Sequence, residues 1–258
     1  MTQQEADRIV PAILREIERI YGVQVLYAAE AGSRAWGYAA PDSDFDLRFI
    51  YRRPATDYLR LDLPRDTIEQ PVDETWDIAG WDLSKALRLL YRSDPALYEW
   101  LGSPVRYVDR GFSERIRPLL EERFSQRPVV RHYLGMSRRN ERLYLNGKKI
   151  APKKLLYVLR PLLCSSWICR EGTAPPVDFR RLCAELMPAE AYDAAERLLE
   201  LKRERREPEE IDRIPELAAF IAERTVEIDG VFDGLPRQED RSWESLDRFF
   251  LREIRRRW

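Results

Sequence analysis

The sequence predicts a chain of two parts, with helices and strands mixed over residues 1–110 and helices alone over 111–258. Three observations carry this. Apolar residues recur at three-to-four spacing near the start, three β-rich apolar runs follow before residue 82, and beyond about residue 112 only the helical spacing is found.

The elements follow in order. EADRIVPAILREIERIYG places Ile9, Ile13, Leu14, Ile17 and Ile20 at helical intervals and stops at Gly22, a residue that favours a helix end. VQVLYAA reads as a buried strand. DLRFIYRR alternates Leu47, Phe49 and Tyr51 against Arg48, Ile50 and Arg52, which is strand periodicity. Residues 53–74 are irregular apart from a short strand at DTIE, and TWDIAGW is the third main strand. Asp82 caps the helix LSKALRLLYR, and Asp94 with Pro95 at the first helical position opens PALYEWL. Helical patterns then follow in VVRHYLGMSRRNERLYLNG, KKLLYVLRPLLCSSWICR (with a kink expected at Pro161), FRRLCAELM, AYDAAERLLELKRERRE, IPELAAFIAERTVEID and SWESLDRFFLREIRRR.

Composition excludes several chemistries. Lys plus Arg number 44 against 45 Asp plus Glu, so net charge points to no partner. There is no apolar run of about 18 residues and no basic-then-apolar leader, so neither a membrane span nor a signal peptide is expected, and the expected location is the cytoplasm. Cys164, Cys169 and Cys183 show no CxxC spacing and are expected reduced and partly buried. His132 is the single histidine, which removes HExxH zinc sites and paired-histidine mechanisms, and no GxSxG elbow accompanies it. Chemistry is left to carboxylates, lysines, arginines and metal.

The segment GSRAWGYAAPDSDFD, residues 32–46, concentrates that chemistry. Gly32-Ser33 follows a buried strand, where backbone N–H groups without a large side chain admit phosphate. Asp44 and Asp46 open the next strand on one face, delivered by the turn Pro41-Asp42-Ser43. Two like charges so placed repel and require a counter-charge. Asp77, between Trp76 and Ile78 on another strand, adds a third carboxylate. Three converging carboxylates suit a pair of Mg²⁺ ions and a nucleoside triphosphate, which together supply the missing positive charge and the reaction.

GSRAWGYAAPDSDFDL resembles the signature of the DNA polymerase β-like nucleotidyltransferases. DIAGWDLSKALRLL, DPALYEWLGSPVRY and KKLLYVLRPLLCSSWI are similar to the narrower family of nucleotidyltransferases associated with RNA ligases, the RlaP type. The resemblance implies an α+β catalytic domain with a small mixed sheet, an all-helical C-terminal domain, and metal-dependent transfer of a nucleotidyl group from an NTP. By the same resemblance Asp44 and Asp46 match the metal-binding pair, and Gly32 and Ser33 the triphosphate contacts. Asp77 is assigned as the third carboxylate, ahead of Asp73, whose place before Glu74 reads as loop. Arg34 is a phosphate contact or an exposed loop residue. Trp36 is expected to pack. Lys85, Lys154 and Arg160 match family positions; Lys154 and Arg160 are placed on the nucleotide side, with phosphate neutralisation and carboxylate pairing both open.

The acceptor is the open question. Residues 128–170 hold ten basic side chains (Arg131, Arg138, Arg139, Arg142, Lys148, Lys149, Lys153, Lys154, Arg160, Arg170) against Glu141 alone, interleaved with Tyr133, Tyr144, Tyr157 and Trp167. Such a bias points to a polyphosphate or nucleic acid. Together with the resemblance to the RNA-ligase-associated family, it makes RNA in end repair or processing the first expectation. The segment is expected to carry the acceptor or the NTP phosphates opposite the carboxylates. A protein or small-molecule acceptor, or a non-catalytic nucleotide- or RNA-binding module, are the alternatives. Phosphate binding, docking onto the body and fraying are all open for the C-terminal FFLREIRRRW, which reads first as an amphipathic surface helix.

Overall fold

The computed structural model describes residues 1–73, 75–204, 210–237 and 242–256. Glu74 and the ends of two expected helices, residues 205–207 and 257, lie outside the described residues, as does Trp258. In chain order the elements are α1 (Gln3–Tyr21), β1 (Gln24–Glu30), α2 (Gly32–Ala35), β2 (Phe45–Arg52), a 3₁₀ turn (Ala55–Leu59), β3 (Thr67–Glu69), β4 (Trp76–Asp82), α3 (Leu83–Tyr91), α4 (Pro95–Leu101), β5 (Arg106–Asp109) and α5 (Phe112–Arg123). Then come α6 (Gln126–Tyr144), β6 (Lys149–Ile150), α7 (Pro152–Glu171), α8 (Phe179–Leu186), α9 (Ala189–Glu204), β7 (Ile211–Asp212), α10 (Pro215–Phe232) and α11 (Glu244–Ile254).

The chain divides into two compact units. The first comprises residues 1–35, 43–124 and 240–258; the second, 36–42 and 125–239. The expected division at residue 110 therefore falls elsewhere. α5 stays with the first unit because Phe112, Ile116 and Leu119 join the core beneath β1 and α3. α11 returns to the same core through Leu246 and Phe249, and its buried Glu253 accepts from Nε and Nη2 of Arg115, both at 2.9 Å. α11 is thus an amphipathic surface helix, as expected, with its apolar side docked on this core and Asp247, Arg248 and Arg252 exposed.

The first unit is built on a five-stranded mixed sheet in the order β3-β4-β2-β1-β5, with β2 and β4 parallel and the other pairs antiparallel. α1 covers one face with Val10, Leu14 and Ile17, spaced four and three residues apart, against Val25, Leu47, Phe49, Tyr51 and Ile78. Burying each such aliphatic side chain contributes about 1.5–3 kcal/mol. The other face packs Leu26, Ala29 and Ile50 under Leu83, Leu87, Leu97 and Trp100. Gly80 lies in register with Phe49, and a β-carbon on it would meet that ring at 2.2 Å. That glycine is required by packing.

The second unit centres on α7, buried from Leu155 to Ile168 almost without interruption apart from Tyr157, as expected of a helix enclosed on all sides. α7 runs past Pro161 as one helix. Pro161 has no N–H to offer the carbonyl of Tyr157, and the side chain of Asn140 on α6 donates to that carbonyl at 2.8 Å instead. This part is not wholly helical: β6 and β7 form a short antiparallel pair, Lys149 with Asp212 and Ile150 with Ile211. Residues 36–42 pack in this unit, with the Trp36 carbonyl accepting from Phe179 N and the Tyr38 carbonyl from Lys202 Nζ at 2.7 Å. Among the described residues no helix is long and apolar enough to cross a membrane.

Candidate active site

The site assembles at the starts of β2 and β4. These strands are parallel and in register, so Asp46 stands directly beside Asp77 and both side chains leave the same face of the sheet. Asp46 is held by its backbone from two sides. Its N–H donates to Glu30 Oε1 at 2.7 Å, and its carbonyl accepts from Ala31 N at 2.9 Å. Glu30 is wholly buried and also accepts from the Tyr107 hydroxyl. Burial pushes the Glu30 carboxyl up to about 7, against the lowering effect of the Tyr107 and Asp46 donors.

Gly32 follows at φ 57, a conformation that disfavours any other residue. Space demands glycine as well: a β-carbon there would lie 1.9 Å from Asp46 Oδ2. The Gly-Ser turn and the second aspartate are therefore packed against each other, although fourteen positions apart in sequence. Arg34 closes the arrangement. Its Nε donates to the Asp44 carbonyl at 2.9 Å, its Nη2 to the Ser43 carbonyl at 2.6 Å, and its guanidinium lies 3.6 Å from the centre of the Phe45 ring. Arg34 thus ties the turn after β1 to the turn before β2. Asp44 itself is exposed and Ser33 half-buried.

Asp73 and Asp77 differ in what they do. Asp73 Oδ1 accepts from the N–H groups of Thr75 and Trp76, both at 2.7 Å, which makes it the cap of the turn before β4. Asp77 stands on the strand itself. Its Oδ2 and Asp46 Oδ1 lie 2.6 Å and 3.0 Å from a single nitrogen, Nη2 of Arg48. A protein cation therefore bridges Asp46 and Asp77, rather than Asp44 and Asp46, the pair whose repulsion called for one. Sequence reasoning passed over Arg48, although its place two residues after Asp46 put it on the same face of a strand. Glu30 was passed over too; the signal for it was an acid closing an apolar run.

Of the remaining candidates, Lys154 and Arg160 belong to the second unit. The Lys154 ammonium sits 4.4 Å from the Tyr144 ring centre and 5.6 Å from that of Tyr157. Arg160 is 4% exposed with its guanidinium 4.2 Å from the Trp36 ring centre, so Trp36 packs as expected. The basic side chains of residues 128–170 differ in their surroundings. Arg138 pairs with Asp229 and Arg170 with Glu171 and Glu185, whereas Arg131, Arg139, Arg142, Lys148 and Lys149 are exposed. Lys85 lies 3.8 Å from Asp66 Oδ1. The cysteines carry free thiols, with Cys164 and Cys183 buried, and His132 is a surface residue.

The chain is 40% identical over 247 residues to the uncharacterized protein YcgL of Bacillus subtilis (strain 168), covering 95% of each. Among solved structures it is similar to the spectinomycin adenyltransferase AAD(9) from Enterococcus faecialis, solved with ATP and spectinomycin, at 14% identity and a TM-score of 0.44 over 88% of this chain and 100% of that one. Residues 7–252 match RlaP, described as the RNA repair pathway DNA polymerase beta family. With that match spanning nearly the whole chain, this protein belongs to the RlaP family and is a nucleotidyltransferase of the polymerase β-like type.

Proposed function

We propose that this protein transfers a nucleoside monophosphate from an NTP to an acceptor hydroxyl on RNA, with Asp44, Asp46 and Asp77 as the ligands of two Mg²⁺ ions. The observation that carries the reading is the in-register pair Asp46 and Asp77, with Gly32 pressed against Asp46. The donors fit a hard divalent cation, since carboxylate oxygens are its preferred ligands and this pair already attracts a cation in Arg48. Among the described residues no three acidic, histidine or cysteine side chains are gathered closely enough to hold an ion as they stand. Asp44, exposed on its turn, is the ligand that has to join the other two.

When bound, divalent metal polarises the phosphoryl oxygens and lowers the pKa of the acceptor hydroxyl. The chain's own residues do the rest. Ser33 and the backbone N–H groups of the Gly32 turn bind the triphosphate, whose close approach a side chain at position 32 would block. Asp77 takes the proton of the acceptor hydroxyl. Glu30, Tyr107 and Arg34 hold the loop and strand on which these groups stand.

The family's place in RNA repair and the exposed basic residues of the second unit support RNA as acceptor. The test is pyrophosphate release from each NTP, with and without RNA bearing a free 3′ hydroxyl. Release that requires both RNA and divalent metal is expected; release without RNA moves the acceptor to a protein or small molecule, and no release with any NTP defeats the proposal. Replacing Lys148, Lys149, Lys153 and Lys154 by Ser should also flatten the log-log dependence of RNA affinity on salt, by about 0.7 for each phosphate that is no longer neutralised.

A further inference from the structure

Arg48 is held in a way that an incidental surface ion pair is not. Its strand neighbours across the sheet are Ala29 and Ala79, small enough to leave its long stem room along the sheet surface. Its Nη1 donates to the Asp77 carbonyl at 2.6 Å, while Nη2 reaches Asp77 Oδ2 at 2.6 Å and Asp46 Oδ1 at 3.0 Å. The side chain is 15% exposed. A guanidinium presents its donors in a fixed planar fork, so one side chain can face two carboxylates and a carbonyl at once.

We propose that Arg48 is a built-in occupant of the carboxylate pair: it keeps Asp46 and Asp77 together in the metal-free protein, and divalent metal binds by displacing its Nη2. This rests on the reading of Asp46 and Asp77 as metal ligands. The two carboxylate oxygens that face Nη2 cannot both bind an ion while the guanidinium stands between them. An ion of charge two outcompetes one delocalised charge, at the cost of the hydrogen bonds Nη2 gives up. The Nη1 bond to the Asp77 carbonyl involves no carboxylate and keeps the displaced side chain nearby. Arg48 is therefore a positioning residue that raises the metal concentration needed to load the site.

The test measures Mn²⁺ binding to the full chain by electron paramagnetic resonance, without nucleotide, for wild type, Arg48→Met, Arg48→Lys and Asp77→Asn. Asp77→Asn should lose the bound ion. Arg48→Met should bind Mn²⁺ more tightly than wild type by roughly tenfold to a hundredfold, the worth of a charged hydrogen bond or two, and should melt lower than wild type in chelator. Arg48→Lys, whose single ammonium cannot span both carboxylates and the carbonyl, should fall between and carries the test if Arg48→Met does not fold. Wild-type affinity or weaker in the Arg48 variants, with wild type still binding at Asp77, overturns this proposal and leaves the carboxylate assignment standing. Wild type with no ion that Asp77→Asn removes overturns both.

Discussion

Strand β4 carries an aspartate at each end, and the two are held in opposite ways. Asp82 is 2% exposed and caps α3, accepting from Ser84 N at 2.8 Å and from the Tyr58 hydroxyl at 3.0 Å, with Arg53 Nε at 3.9 Å. Burial raises its carboxyl pKa despite these donors. Asp77, five residues earlier, is partly exposed and its carboxylate is met by the Arg48 side chain, itself shared with Asp46. Donors supplied by backbone and a packed tyrosine make a carboxylate part of the scaffold. A carboxylate met by one long side chain at a strand end can exchange that partner for another cation. The same residue type thus serves structure at one end of the strand and, in the function proposed above, chemistry at the other.

The contrast can be broken most decisively at the exposed end. Asp46→Asn and Asp77→Asn should each lower nucleotidyl transfer on the order of a thousandfold, several kcal/mol of lost charge stabilisation, while the metal-free protein melts within a few degrees of wild type. Asparagine keeps the size of the side chain and an acceptor for Arg48. Transfer rates and thermal melts of the two variants check this, and near-normal transfer in either removes that residue from the site.

At the buried end the effect should appear in stability instead. Asp82→Ala removes a helix cap and leaves the Tyr58 hydroxyl without its acceptor, a loss of about 1–3 kcal/mol by urea unfolding. Transfer measured well below the melting temperature should stay within about twofold of wild type, a change of less than half a kcal/mol in the barrier. A collapse of transfer with stability intact would place Asp82 in the chemistry and dissolve the contrast.

The smallest effect sharpens the choice between neighbours. Asp73→Asn keeps an oxygen to accept from Thr75 and Trp76, so it should shift stability by no more than about 0.5 kcal/mol and leave transfer unchanged. A large loss of transfer in this variant, with Asp77→Asn active, would exchange their roles.

Much of this was readable along the chain. Helical spacing and a terminal glycine announce α1, alternation announces β2, and Asp82 and Asp94 announce the helices they cap, because each is decided by residues within a turn or two. The Gly-Ser turn, the spacing to Asp44 and Asp46, and the family likeness are equally local. Tertiary structure decided the rest. Parallel pairing of β2 with β4 brings Asp77 beside Asp46 and leaves Asp73 to cap a turn, and that register joins residues about thirty apart. It also turned Arg48 onto the carboxylates, buried Arg160 against Trp36, and assigned residues 36–42 and α11 to units that sequence order does not suggest. β5 and the β6–β7 pair are too short to show a period. Periodicity reports which side of an element is buried; which element lies opposite is set by hydrogen bonding and packing between segments far apart in the chain.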